Sequence, residues 1–257
     1  MLVTATAGEA GLSSDGMRQG RELGDRRRAE LEGSARALGC ARWEVLGYAD
    51  SGSGSRTDPL PTTEARDGFA WLDPEEPARR LADILLEESA DVLTVYDAHG
   101  GYGHPDHVQV HRVGHLAARL AGTRVVLEAS VDRSLLQRVA RVMRRVPGVA
   151  RLVPADGFAK AYLSPGELTH RVDVRPVLEA KRAALAAHAS QATGGRSVRT
   201  VALLLRLPGP VLALVLGHEW FREEGRPSGP PLVDDVFATL RRAADATPGP
   251  DPRVEHP

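Results

Sequence analysis

Cysteine is almost absent from this chain: Cys40 is the only one. That excludes an internal disulfide and predicts a reducing, cytoplasmic setting, with Cys40 packed rather than reactive. An excess of charge of either sign is also lacking, since the formal net charge is −1, which argues against a nucleic-acid or other polyanionic partner. No basic stretch followed by a long apolar core opens the sequence, so no signal peptide is expected. The most apolar segment, residues 198–216, contains Pro208 and Pro210 together with Arg199 and Arg206. These interruptions argue against a single membrane span and predict two packed helical turns, with an interfacial anchor as the alternative. No internal repeat occurs, and no G-x-G-x-x-G follows a strand, so a dinucleotide fingerprint is missing.

What is present suffices for one sizeable domain: 257 residues, 42% of them hydrophobic. Strand-like segments alternate with helical ones, which predicts an α/β fold with a parallel sheet. Strands are expected at 1–7, 42–47, 91–96, 124–128, 169–174 and 218–221. Helices are expected at 25–38, 74–89, from Pro105 onward, at 132–145 with Asp132 as its cap, at 177–189 and at 233–244. Residues 48–73 read as a long Gly/Ser/Pro-rich loop, a candidate substrate rim. Beyond residue 223 the chain becomes Pro-rich, with a disordered tail expected after the last helix.

The chemistry concentrates in Tyr96-Asp-Ala-His-Gly-Gly-Tyr-Gly-His-Pro-Asp-His-Val-Gln-Val-His111, four His and two Asp within sixteen residues. An apolar strand leads into it, glycines at 100, 101 and 103 allow tight turning, and Pro105 suits the first turn of a helix. Histidines and Asp106 therefore fall where a strand's C-terminal end meets a helix, the usual ligand position in open α/β sheets. Imidazole and carboxylate donors with room for water suit metal-assisted hydrolysis. His104 and His107 are the leading candidates, with Asp106 able to orient a neighbouring imidazole and Tyr102 able to offer its hydroxyl to a carbonyl. His107 and His111 are also neighbours at i, i+4, and His115 lies one turn further.

The run G-G-Y-G-H-P-D-H-V-x-x-H resembles the signature of the LmbE-like, or PIG-L, zinc deacetylases, which remove acetyl groups from N-acetylglucosaminyl substrates. Other stretches are similar to further parts of the family: Thr4–Gly11, Arg27-x-x-Glu30-Leu31, Asp50-Ser51-Gly52, Lys181 to Gln191, and Glu219-x-Phe221. The resemblance implies a Rossmann-like three-layer fold with a mostly parallel sheet over residues 1–225, followed by a C-terminal segment at 226–257. It further implies Zn2+ as cofactor, a small-molecule amino-sugar substrate, and a set of roles. His107 would be a zinc ligand and His104 the histidine that stabilises the oxyanion or protonates the leaving amine. Asp106 would tune that histidine, Tyr102 would lie near the carbonyl, and Arg27 and Asp50 would be substrate-side positions. The family's A-H-P-D-D-E, which supplies two further zinc ligands and the general base at the end of the first strand, does not occur in the sequence. The expectation is therefore a fold lacking its first strand, with a start placed late, and a chain with little or no activity. Two other readings stand beside it: a non-catalytic sugar- or partner-binding member of the same fold, and a metallohydrolase using His104, His107 and His111 alone.

Overall fold

The computed structural model describes residues 1–10, 20–52, 67–145, 161–188 and 201–245 apart from 203. The elements are β1 (Leu2–Thr6), α1 (Arg21–Ala37), β2 (Trp43–Tyr48), α2 (Glu75–Glu87), β3 (Val92–Tyr96), α3 (Pro105–Ala121) and β4 (Val125–Ser130). They continue with α4 (Arg133–Met143), β5 (His170–Asp173), α5 (Leu178–Ala187), α6 (Gly209–Leu216), β6 (His218–Glu223) and α7 (Ala238–Asp245). Most of the rim loop and the whole tail after residue 245 lie outside the described residues.

Among the described residues the strands form two sheets. β1 pairs with β2 in parallel. A four-stranded sheet has the order β3-β4-β6-β5, parallel between β3 and β4 and antiparallel at β4–β6 and β5–β6. The parallel α/β expectation thus holds for the half that carries the histidine turn, and the C-terminal half adds two antiparallel pairings. One edge of β1 and one edge of β3 have no strand partner among the described residues.

Side chains join what the ladders do not. Val3 and Ala5 of β1 and Leu93 of β3 all pack on one cluster formed by Phe69, by Ala78, Leu81, Ala82 and Leu85 of α2, and by Val113 and Ala117 of α3. Alternation along β4 then sorts its residues to two faces. Val126 meets Ala118 of α3, while Val125 and Leu127 pack with Phe221, Val236 and Leu240. Helix, sheet and helix make three layers.

Two helix starts and the packing of one apolar segment differ from the sequence expectation. Helix α1 begins at Arg21 rather than residue 25, because Leu23 is fully buried and Gly24 faces Ala7 and Glu9. Helix α7 begins at Ala238 rather than 233, because Val233 exchanges backbone hydrogen bonds with Thr169 and Arg171. Within α6, Leu212 is buried but Val211, Leu214 and Val215 are exposed, so the apolar segment is only partly packed. Among the described residues no helix is long and apolar enough to cross a membrane.

Candidate active site

Helix α3 is built to present its first turn. His104 is its N-cap, Pro105 follows, and Gly122 ends it in the left-handed conformation. Gly114 lies so close to Val95 that an added Cβ would come within 2.3 Å of a Val95 methyl. The absent side chain thus sets how near α3 sits to β3.

The turn before the helix is organised by Asp97, which the sequence reading passed over. It is fully buried. Its Oδ1 accepts from the backbone N–H groups of His99 and Gly101, each at 3.0 Å. Its Oδ2 accepts from the Ser130 hydroxyl at 2.5 Å. Gly100 has φ +65°, and a Cβ there would approach the Val108 backbone nitrogen to 2.8 Å, so the turn requires glycine.

Three of the expected residues gather at the helix start. The His104 and His107 rings have centroids 4.8 Å apart, and Tyr102 stands edge-on to His107 at 5.3 Å. Tyr102 is largely exposed. His104 Nδ1 accepts a hydrogen bond from the backbone N–H of Asp106 at 3.2 Å. That bond fixes the tautomer of a neutral His104, with its proton on Nε2. His107 is held in the opposite sense. Its Nδ1 lies 3.3 Å from the Gly100 carbonyl, which can only accept, so Nδ1 donates and Nε2 keeps a lone pair. Burial, with His104 beside it, pushes His107 down to about 4. It is therefore a neutral imidazole at physiological pH, the form that binds a metal.

Asp106 feels the charge of His104 and also has backbone partners of its own. Its carboxylate accepts from the backbone N–H groups of Ser51 at 3.2 Å and Ala70 at 3.1 Å. It is the Asp106 backbone, not its side chain, that bonds His104. Burial raises the Asp106 carboxyl, and Ser51 opposes that rise. The side chain thus ties the loop after β2 to α3.

Asp50 and Arg27 also bind loops. Asp50 accepts from the N–H groups of Ala10 and Gly52, and its own N–H donates to Glu9 at 2.9 Å. Arg27 donates to the Gly8 carbonyl. Glu9 and Asp50 together cross-link the loop after β1 to the loop after β2.

A zinc site at His107 needs further donors. Among the described residues no group of three metal-binding side chains includes His107; the converging group is His111, His115 and Glu128. This corrects the reading in which His104, His107 and His111 share one ion: one turn along α3, His111 turns away toward His115, their rings 4.4 Å apart. A complete family-type zinc site is thus not formed by the described residues, although His107 has the form of one ligand.

Fold and turn together define an α/β protein whose histidine-rich strand-to-helix junction stands where open sheets of this kind hold their ligands. The comparisons supply the family. PIG-L, described as GlcNAc-PI de-N-acetylase, matches residues 1–118. A 1D-myo-inositol 2-acetamido-2-deoxy-alpha-D-glucopyranoside deacetylase of Nocardiopsis dassonvillei is 36% identical over 218 residues, 75% of this chain and 74% of that protein. The enzyme of the same name from Nocardia farcinica is 35% identical over 265 residues, 93% and 86% of the two chains. The N,N'-diacetylchitobiose deacetylase of Pyrococcus horikoshii superposes with a TM-score of 0.49 at 22% identity, covering 88% of this chain and 72% of that one. The chain belongs to the PIG-L family of metal-dependent deacetylases, on the strength of the sequence relatives.

Proposed function

We propose that the protein is a zinc-dependent N-deacetylase of N-acetylglucosaminyl-type small molecules, and that these 257 residues hold the proton-donating half of its site. The observation that carries this reading is the tautomer of His104. With Nδ1 occupied by the Asp106 N–H, Nε2–H is the atom that can donate to a carbonyl oxygen or leaving amine. Tyr102 supports it from the open side. Partial burial, with Asp50 and Asp106 nearby, raises its hydroxyl above the ordinary range, so it stays protonated and able to donate at neutral pH.

His107 is the zinc ligand of this reading. Asp106, Asp50 and Arg27 hold the loops that form the rim, Asp106 acting through backbone groups rather than on the substrate. The names of the relatives favour a glucosaminyl inositol as substrate. Because A-H-P-D-D-E is not among the 257 residues, two zinc ligands and the general base are lacking. The chain alone is expected to turn over little or no substrate.

The test compares two proteins on an N-acetylglucosaminyl inositol and on simpler N-acetylglucosaminides. One is the 257-residue chain; the other is the same chain preceded by a family-type strand bearing A-H-P-D-D-E. Activity should appear only in the second and fall sharply in its His104→Ala form. A folded, zinc-loaded fusion that deacetylates no N-acetyl amino sugar would sink the substrate class. Full activity of the shorter chain would sink the half-site.

A further inference from the structure

We propose that His111, His115 and Glu128 form a divalent-cation site of their own, separate from His107, which clamps helix α3 to strand β4. It does not rest on the deacetylase reading. One donor atom from each of the three residues lies within 4.8 Å of the others. His111 and His115 are at i, i+4 on α3 and so share a face. Glu128 projects from β4 and is 3% exposed, deep for a carboxylate inside the otherwise apolar run Val125-Val-Leu-Glu128.

The surroundings of these residues resemble the outer layer of a metal centre. Ligating imidazoles usually donate their second ring nitrogen to a carbonyl or carboxylate, which fixes the ring and its tautomer. Both rings have such an acceptor. His111 Nδ1 lies 3.1 Å from the Tyr96 carbonyl. His115 Nδ1 lies 2.9 Å from Glu224 Oε2. The other nitrogen of His115, Nε2, is 3.1 Å from Glu128 Oε1. Two donors at about 2.0–2.2 Å from one tetrahedral ion stand roughly 3–3.5 Å apart, so this pair is already at ligand spacing. His111 Nδ1 is 3.8 Å from the same oxygen; with that nitrogen occupied by the Tyr96 carbonyl, Nε2 is the ring atom left to hold the ion. Arg222 approaches the other oxygen, Oε2, at 3.4 Å, which holds the carboxylate with Oε1 toward the histidines.

Two imidazoles and one carboxylate suit a borderline ion of the zinc, cobalt or nickel type over magnesium or calcium, which prefer all-oxygen shells. The ion would join α3 to β4 and, through Glu224, to the end of β6. Its role would be to brace the helix whose first turn carries His104 and His107.

The test uses the 257-residue chain stripped of metal with a chelator. Zn2+ binding is followed by calorimetry, and Co2+ binding by its visible absorption, which reports the ligand set directly. One equivalent is expected, unchanged in His107→Ala and at least tenfold weaker in Glu128→Gln and in His115→Gln, with circular dichroism confirming that each variant folds. Should either variant fail to fold, the imidazole nitrogen shifts of His111 and His115 in the parent chain on adding Zn2+ provide the same decision. Absence of binding by the parent chain overturns the proposal. So does binding that survives both substitutions, or histidine shifts that do not move. Binding lost in His107→Ala but kept in Glu128→Gln would move the ion to the other cluster, overturning this proposal while favouring the deacetylase site.

Discussion

The imidazole of His107 lies flat on the ring of Tyr96, with centroids 3.9 Å apart and planes within 2°. The stack shields the ring on one face, and burial is the largest cause of its low proton affinity. Replacing Tyr96 by alanine in the metal-free protein should let water reach the ring and raise the His107 value from about 4 toward the ordinary histidine value. An NMR titration of the imidazole protons checks this. An unmoved titration would mean that the shielding comes from other neighbours.

Asp106 joins a loop and a helix through two backbone N–H groups. Asp106→Ala should destabilise the fold by about 1–3 kcal/mol through the Ser51 N–H left without an acceptor, since the Ala70 N–H keeps the Ser51 hydroxyl at 2.8 Å. Asp106→Asn, keeping one acceptor oxygen, should cost less. Urea unfolding of both variants measures the difference. Equal losses would show that packing, rather than acceptor count, sets the cost.

Gly114 predicts a suppressor. Gly114→Ala drives a methyl into Val95 and should cost about 1–3 kcal/mol as overpacking. Adding Val95→Ala removes the clashing methyls, so the double variant should be more stable than the sum of the two single changes predicts. Thermal unfolding of the four proteins closes the cycle.

The pH response of the C-terminal sheet turns on His170. Its side chain is fully buried between Thr169, whose hydroxyl is 2.7 Å from Nδ1, and Glu223 at 3.6 Å. Burial lowers its proton affinity despite the Glu223 charge. A histidine depressed in the folded state binds its proton more readily when unfolded. Its contribution to stability is therefore full above the unfolded value near 6.5 and is lost as pH falls through the window below it. Denaturation midpoints should drop as pH falls from about 7 toward 5, and His170→Asn should flatten that slope. The same slope in both proteins would place the sensor elsewhere.

Period and punctuation made much of this architecture legible. The apolar runs of β3 and β4, the Pro105 start of α3, and Asp132, which accepts from the N–H groups of Ser134 and Leu135 at the head of α4, all express local rules. The gathering of His104, His107 and Tyr102 follows from one short turn, so spacing along the chain was enough. What stayed hidden depends on partners distant in sequence. Asp106 reads as a partner of His104, yet the groups that claim its carboxylate sit at residues 51 and 70. Glu128 looked like the end of an apolar strand, and only the fold shows it facing two histidines on α3. A charged residue inside a buried run was the available signal. The two antiparallel pairings of β6 likewise follow from where the chain returns, which no local pattern encodes.

Among the described residues the two sheets share no backbone ladder, which changes how force and fluctuation travel between them. Across most α/β sheets the backbone ladder is continuous, so distortion of one strand is felt by the next. Here the passage from β2–β1 to β3–β4 runs through side chains such as Val3, Ala5 and Leu93 meeting beneath α2 and α3. Such contacts lack direction and do not tie the two ladders into one hydrogen-bonded unit. Amide exchange should therefore divide the strands into two populations with separate opening energies, and the histidine turn would follow the clock of the larger one.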